Sequence, residues 1–132
     1  MRRAVVLGLF VAALGCQAPP QRAPVAPLAE DSAPLPFADL VSRARSQAMT
    51  ALEAYYVDRW AEVEDAARGL EQTARFLRRA TEVPPTRQGD LSLRTDTLAD
   101  AAKQLRDAAK AKAGEQVNAV LQRINSQVRE LR

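Results

Sequence analysis

Cys16 is the side chain in this sequence whose type best suits covalent chemistry. The chain of 132 residues contains a single Cys and no His. Without histidine it lacks the usual general base at neutral pH and the commonest zinc ligand. One cysteine cannot form an internal disulfide or a multi-cysteine metal site. The chemistry that remains for Cys16 is modification of its own sulfur.

Cys16 directly follows a segment that is typical of exported proteins. Arg2 and Arg3 form a short basic region, and residues 4–14 (AVVLGLFVAAL) are an uncharged apolar run of eleven residues. This run is too short to span the hydrocarbon core of a bilayer, which needs about 20 residues. It therefore predicts a signal peptide over residues 1–15.

The run Ala13-Leu14-Gly15-Cys16 resembles the lipobox of bacterial lipoproteins. The resemblance implies that Cys16 is acylated with diacylglycerol and becomes the first mature residue. The usual pattern has Leu three positions before the Cys and a small residue two before it, and here Ala13 and Leu14 stand in swapped order. The alternative is a plain secretory signal with an incidental cysteine. Because several acyl chains hold a protein stably where one holds it only marginally, we expect a permanent membrane anchor.

The residue after the lipidated cysteine influences sorting in Gram-negative lipoproteins, where Asp favours retention in the inner membrane. Gln17 stands at this position. The resemblance therefore implies a location in the cell envelope, at the periplasmic face of the outer membrane.

The mature chain carries almost no net charge. Loss of Arg2 and Arg3 lowers the 19 basic residues to 17, against 16 acidic ones. Nucleic-acid-binding proteins concentrate positive charge, so we predict no nucleic-acid partner. The sequence has no Gly-rich phosphate loop and no Ser, Cys or Lys with a visible activating base. We therefore predict no enzyme activity, no catalytic residue and no cofactor.

Proline dominates the segment that follows the anchor. Residues 16–36 contain six of the eight prolines. Proline removes amide donors and biases the preceding residue toward extended backbone. We predict a semi-rigid linker that lifts the folded part off the membrane.

Two long helices are predicted in the remaining domain, residues 37–132. Apolar residues recur at steps of three and four, the spacing that places side chains on one helix face. The first stripe is Met49, Leu52, Tyr56, Trp60, Val63, Ala67, Leu70, Ala74 and Leu77. The second, after Pro84 and Pro85 and a candidate N-cap at Asp90, is Leu98, Ala102, Leu105, Ala109, Ala113, Val117, Val120, Ile124, Val128 and Leu131.

The predicted fold class is all-α, with the two helices in an antiparallel hairpin. An isolated hairpin buries too little apolar surface to offset its ordering entropy. We expect it to complete a four-helix bundle by dimerisation, to break near residues 57–59 into a third helix, or to dock on a partner. With the turn centred near Arg87, Trp60 is expected to lie beside Gly114.

Three aromatic side chains fall within two turns of the first helix. Tyr55, Tyr56 and Trp60 either line an interaction or ligand site or form the largest layer of the core. The carboxylates Glu62, Glu64 and Asp65 lack a His or an inward-facing partner, so we predict no metal site.

The helical segments resemble small exported cytochromes of the cytochrome c-prime type. The similarity lies in RWAEVEDAARGLEQTARFL (residues 59–77) and LADAAKQLRDAAKAKAGEQVNAVLQRINSQVRELR (residues 98–132). Those proteins attach haem through a Cys pair and a His in the last helix, where this chain has VRELR. The resemblance implies a haem-less relative that kept the bundle.

Two classes of function follow. The first is a membrane-tethered helical module that self-associates as a homodimer or holds a periplasmic protein partner. The second is a small-ligand or redox-associated binding bundle that is related to cytochrome c-prime and lacks covalent haem.

Overall fold

The computed structural model describes residues 23–132, and this part of the chain is all-helical. Its elements are α1 (Phe37–Tyr56), α2 (Trp60–Leu77), the single turn α3 (Pro85–Gln88), α4 (Leu91–Lys110) and α5 (Gly114–Glu130). At 1.5 Å per residue the four long helices are about 25 to 30 Å each. None of the described helices is long and apolar enough to cross a membrane.

The four long helices pack as an up-down-up-down bundle within one chain. Helix α2 lies between α1 and α4, and α5 closes the ring by packing on α4 and α1. We call the end with the α1–α2 and α4–α5 turns the tip. The opposite end, with the start of α1 and the α2–α4 connection, is the base. The all-α class and the helical bundle are confirmed, but four helices of one chain replace the predicted two or three.

Both turns at the tip have the same backbone geometry. Asp58, with φ of 57°, donates its N–H to Tyr55 O, and Arg59 N–H bonds Ala54 O at 2.9 Å. At the second turn Lys112, with φ of 53°, donates to Ala109 O, and the next amide bonds Ala108 O. These paired bonds are the Schellman arrangement that ends helices. The predicted break at residues 57–59 is confirmed, whereas the break at residues 111–113 was not predicted.

The core is rich in alanine. Small side chains let neighbouring helices approach closely. Around them lie larger buried side chains from all four helices, among them Leu40, Leu70, Phe76, Leu98, Leu105, Leu121 and Ile124.

The predicted buried face is correct for α2, α4 and α5 but wrong for α1. Met49 and Leu52 are only half buried and Tyr56 is exposed. The face that α1 buries comprises Phe37, Leu40, Val41, Ala44, Gln47, Ala48, Ala51 and Ala54. The prediction extended the helical periodicity of α2 back through Asp58 into α1. The chain reverses direction at that turn, so the buried face of α1 does not follow the periodicity of α2.

The connection between α2 and α4 lies at the base. Asp90 is at the N-cap position of α4, as predicted, but its side chain makes no capping hydrogen bond. Its carboxylate instead accepts a hydrogen bond from Arg94 Nε at 2.5 Å.

Candidate functional site

The predicted lipidation site, Cys16, lies outside the described residues, as does the predicted signal peptide of residues 1–15. Its acylation stays a prediction.

The last part of the predicted linker is not a spacer, because residues 26–36 lie against the bundle along α1 and α2. We call residues 26–36 the strap. Gln72 holds Leu28 by two bonds: Leu28 N–H donates to Gln72 Oε1 at 2.8 Å, and Gln72 Nε2 donates to Leu28 O at 2.7 Å. Nearer the base, Thr81 N–H bonds Leu35 O and Phe37 N–H bonds Thr81 O. Backbone outside helices has amides and carbonyls that need partners, and α2 and the residues after it supply them.

The strap makes its charged contact with the bundle through Glu30. Its carboxylate accepts hydrogen bonds from Gln72 Nε2 at 3.2 Å and from Arg75 at 3.0 Å, and Arg79 donates to its backbone carbonyl. The Gln72 hydrogen bond, followed by the hydrogen bond and charge of Arg75, lowers the pKa of Glu30. Two basic residues at the end of α2 therefore hold the strap.

The contacts of the strap fix its direction. From residue 35 back to residue 28, its partners shift from Thr81, after the end of α2, to Gln72 within α2. Ala26 O accepts a hydrogen bond from Arg43 of α1. Helix α2 runs from tip to base, so lower numbers on it lie nearer the tip. Followed toward its N-terminus, the strap therefore climbs from the base toward the tip.

The three aromatic residues singled out in the sequence lie together at the tip. The ring centroids of Tyr55 and Tyr56 are 5.7 Å apart, and those of Tyr55 and Trp60 are 6.0 Å apart in an edge-on arrangement. Tyr56 is 73% exposed and its neighbour Val57 is 59% exposed. The core-layer interpretation is wrong for Tyr56, while Tyr55 and Trp60 pack half-buried against the end of the core.

The predicted proximity of Trp60 and Gly114 is confirmed. A Cβ built on Gly114 would lie 3.9 Å from Trp60 Cη2 and 3.9 Å from the Tyr55 hydroxyl. This is an ordinary van der Waals distance, so the indole does not require glycine there. Gly114 is the first residue of α5 rather than an interruption within a longer helix.

An open groove of about 690 Å³ runs along the seam between α1 and α5, near the base. This is the loosest of the four helix pairings. The floor is apolar, and polar side chains stand at the rim. Its lining comprises Phe37, Ala38, Val41, Ser42, Arg45, Met49, Pro84, Asn125, Val128, Arg129, Leu131 and Arg132. Nothing in the local sequence pattern indicated this groove, because it joins residues from the two ends of the domain.

The charged side chains that line the groove are all positive. Arg45, Arg129 and Arg132 line it, and no acidic residue does. Among residues 23–132, no carboxylate side chain pairs with any of these three guanidinium groups. Other arginines of the bundle are neutralised: Arg78 pairs with Asp96, and Arg106 pairs with Glu71.

No metal site is found in the described part of the chain, where no three His, Cys, Asp or Glu side chains form a group that could hold an ion. The candidate carboxylates are engaged in ion pairs, Glu62 with Arg59, and Glu64 and Asp65 with Arg68.

Comparison with family models, with curated proteins and with solved structures finds no match to this chain. The resemblances to lipoproteins and to cytochromes c-prime stay predictions, and a four-helix bundle is shared by too many unrelated proteins to test them.

Proposed function

We propose that this protein is an extracytoplasmic lipoprotein whose helical bundle is an interaction module for a protein partner. The apolar and positively charged groove between α1 and α5 is the observation that carries the proposal. The anchor is the acylated Cys16, and the proposed location is the periplasmic face of the outer membrane.

The shape of the groove suits an α-helix as its occupant. The lining of α1 extends from Phe37 to Met49, which is about 18 Å at 1.5 Å per residue. That length matches roughly three turns of a bound helix, whose residues at i, i+3, i+4 and i+7 would contact the apolar floor. A helix of the partner bound here would cover the seam between α1 and α5, where the bundle is most loosely packed.

The positive charge of the groove favours helices that carry acidic side chains. Arg45 and Arg129 stand on the two helices that border it, and arginine pairs with carboxylates through two parallel hydrogen bonds. We therefore assign the groove to an amphipathic helix whose polar edges carry Asp and Glu. Complementary charge of this kind raises the rate of association and discriminates against wrong partners.

A photoreactive amino acid at Ser42, an exposed residue that lines the groove, tests this assignment in intact cells. We expect a crosslink to an acidic, amphipathic helical segment of another protein, identified by mass spectrometry. Combining Arg45→Glu with Arg129→Glu should abolish it. Lys103→Glu, an exposed charge reversal on α4, is the matched control and should leave it intact.

Other outcomes would contradict the assignment. A crosslink to a second copy of this chain would support the homodimer instead. A bound small molecule, or Soret absorbance in protein purified from its native envelope, would support the alternative class of ligand-binding or redox-associated bundle.

The anchor is tested separately. Cys16→Ser should lose the mass of the acyl chains and leave the membrane fraction once the signal peptide is removed. Retention of the processed variant in membranes to the same extent would disprove acylation as the basis of anchoring.

A further inference from the structure

We propose that the tip of the bundle contacts the lipid surface, with Tyr56 and Val57 inserted at the membrane interface and Tyr55 and Trp60 behind them. This inference rests on the proposed lipid anchor and adds the orientation of the bundle on the membrane.

The first argument is the exposure of the tip. Tyr56 and Val57 are two of the three large hydrophobic residues exposed in residues 23–132, at 73% and 59%. They are consecutive residues, and Tyr55 and Trp60 extend the same surface. Tyrosine and tryptophan are enriched at membrane interfaces, because their rings are apolar and their O–H and N–H groups bind water or headgroups.

The second argument is the path of the chain toward its anchor. Followed toward its N-terminus, the strap leaves the base and reaches Ala26, whose carbonyl accepts a hydrogen bond from Arg43 of α1. From Arg43, α1 continues for thirteen residues to Tyr56, or about 20 Å. Cys16 precedes Ala26 by ten residues, which span at most about 31 Å as polyproline II. The anchor therefore reaches the level of the tip.

The strap also shortens the tether. Gln72 and Arg75 hold the strap to α2, so residues 17–25 alone join the strap to the anchor. A tether of this length reaches the tip and also the base, which lies about 9 Å from Arg43. The exposed aromatic and apolar side chains of the tip, and not the tether, therefore set the orientation.

The charges around the tip identify the kind of lipid surface. The two turns and the first turns of α2 and α5 have no excess of positive charge, because Arg59 and Lys112 stand against Asp58, Glu62 and Glu115. A surface without excess positive charge gains little from anionic lipids. We therefore expect contact with zwitterionic phospholipid, driven by the aromatic and apolar side chains and insensitive to salt.

Trp60 is the only tryptophan of the chain and reports this contact directly. The acylated full-length mature protein, reconstituted in phosphatidylcholine vesicles with brominated acyl chains, should lose Trp60 fluorescence relative to unbrominated vesicles. The control combines Trp60→Phe with Leu93→Trp. Leu93 is 71% exposed near the start of α4, at the base, and an indole there should keep its fluorescence.

A second pair of variants tests the inserted residues. Tyr56→Ser with Val57→Ser should reduce the quenching of Trp60, whereas Leu93→Ser, which removes a similarly exposed apolar side chain at the base, should not. None of these residues belongs to the core, so the fold should remain.

The outcomes separate the two proposals. If the protein carries no acyl chains and does not float with the vesicles, both the anchor and the orientation are wrong. If it floats but bromine quenches neither indole, or quenches both equally, the anchor stands and the orientation is overturned. Protection of Trp60 from aqueous iodide without quenching by bromine would assign the tip to a protein contact instead.

Discussion

A buried polar contact between α1 and α2 makes Gly69 the most sensitive glycine of the bundle. Gln47 is only 2% exposed, and its Oε1 accepts a hydrogen bond from Thr73 Oγ1 at 2.8 Å. A Cβ on Gly69 would lie 2.6 Å from Gln47 Nε2 and 3.2 Å from its Cδ. The Gln47 amide fits at this position because Gly69 has no side chain.

Gly69→Ala should therefore destabilise the protein, although alanine is the better helix former. The propensity gain is about 1 kcal/mol. Against it, the overlap is relieved in one of two ways. Either the core yields, which costs about 1 to 3 kcal/mol, or Gln47 turns away, which breaks its bond to Thr73 and leaves buried polar groups unpaired at about 1 to 3 kcal/mol. The net loss in the free energy of unfolding is up to about 2 kcal/mol, and each kcal/mol lowers the melting temperature by about 4 °C or more.

Urea denaturation followed by far-UV circular dichroism measures this loss. Gly89→Ala is the matched control, because its Cβ would meet nothing within 4 Å. In a Gln47→Ala background the overlap is gone, and Gly69→Ala should then stabilise the protein through helix propensity alone. A coupling free energy near zero in this double-mutant cycle, or a Gly69→Ala protein more stable than the parent, would refute the reasoning.

Three further predictions follow from the tip, the strap and the closed bundle. Lys112→Gly should raise the free energy of unfolding by about 1 kcal/mol, because Lys112 has a left-handed backbone that costs other residues about 1 to 2 kcal/mol; a lower melting temperature would contradict this. The contact of Glu30 with Arg75 should persist at pH values above the ordinary glutamate range and be lost as the pH falls through the lowered pKa of Glu30, while the backbone bonds of Leu28 and Leu35 remain. The NMR shift of the Leu28 amide should follow that titration, and Glu30→Gln should abolish the pH dependence. Since one chain completes four helices, sedimentation of the delipidated mature protein should give a monomer; a concentration-dependent dimer would support the predicted self-association.

The sequence predicts the helical class well because helix burial repeats locally. Leu98, Leu105, Val117 and Ile124 follow the helical period, and all are buried. The end of a helix depends on the backbone conformation of a single residue, so it leaves a weaker signal in the sequence. Residue C′ of a Schellman turn is most often Gly, and at the second turn it is Lys112, so nothing in the Ala-rich run around it marks a helix end.

The strap and the groove could not be predicted from the sequence, for a different reason. Proline content indicates that no helix forms before Pro36, as the structure shows for residues 23–35, but it cannot show that Gln72, 44 residues from Leu28, supplies both of its hydrogen-bond partners. The groove likewise joins α1 to α5. Contacts between residues far apart in sequence have no periodicity to reveal them.

The two tip turns also explain why one chain can replace the expected dimer. An unbroken helix over residues 37–77 would be about 60 Å long, and one over residues 91–130 nearly as long. Each would bury a single stripe against the other and leave its remaining apolar residues to a second copy. Folding each segment back on itself costs about 1 to 2 kcal/mol for one left-handed residue, yet it brings four apolar faces together within one chain. The same two turns gather Tyr56, Val57 and Trp60 at one end, so the geometry that closes the core also creates the exposed tip.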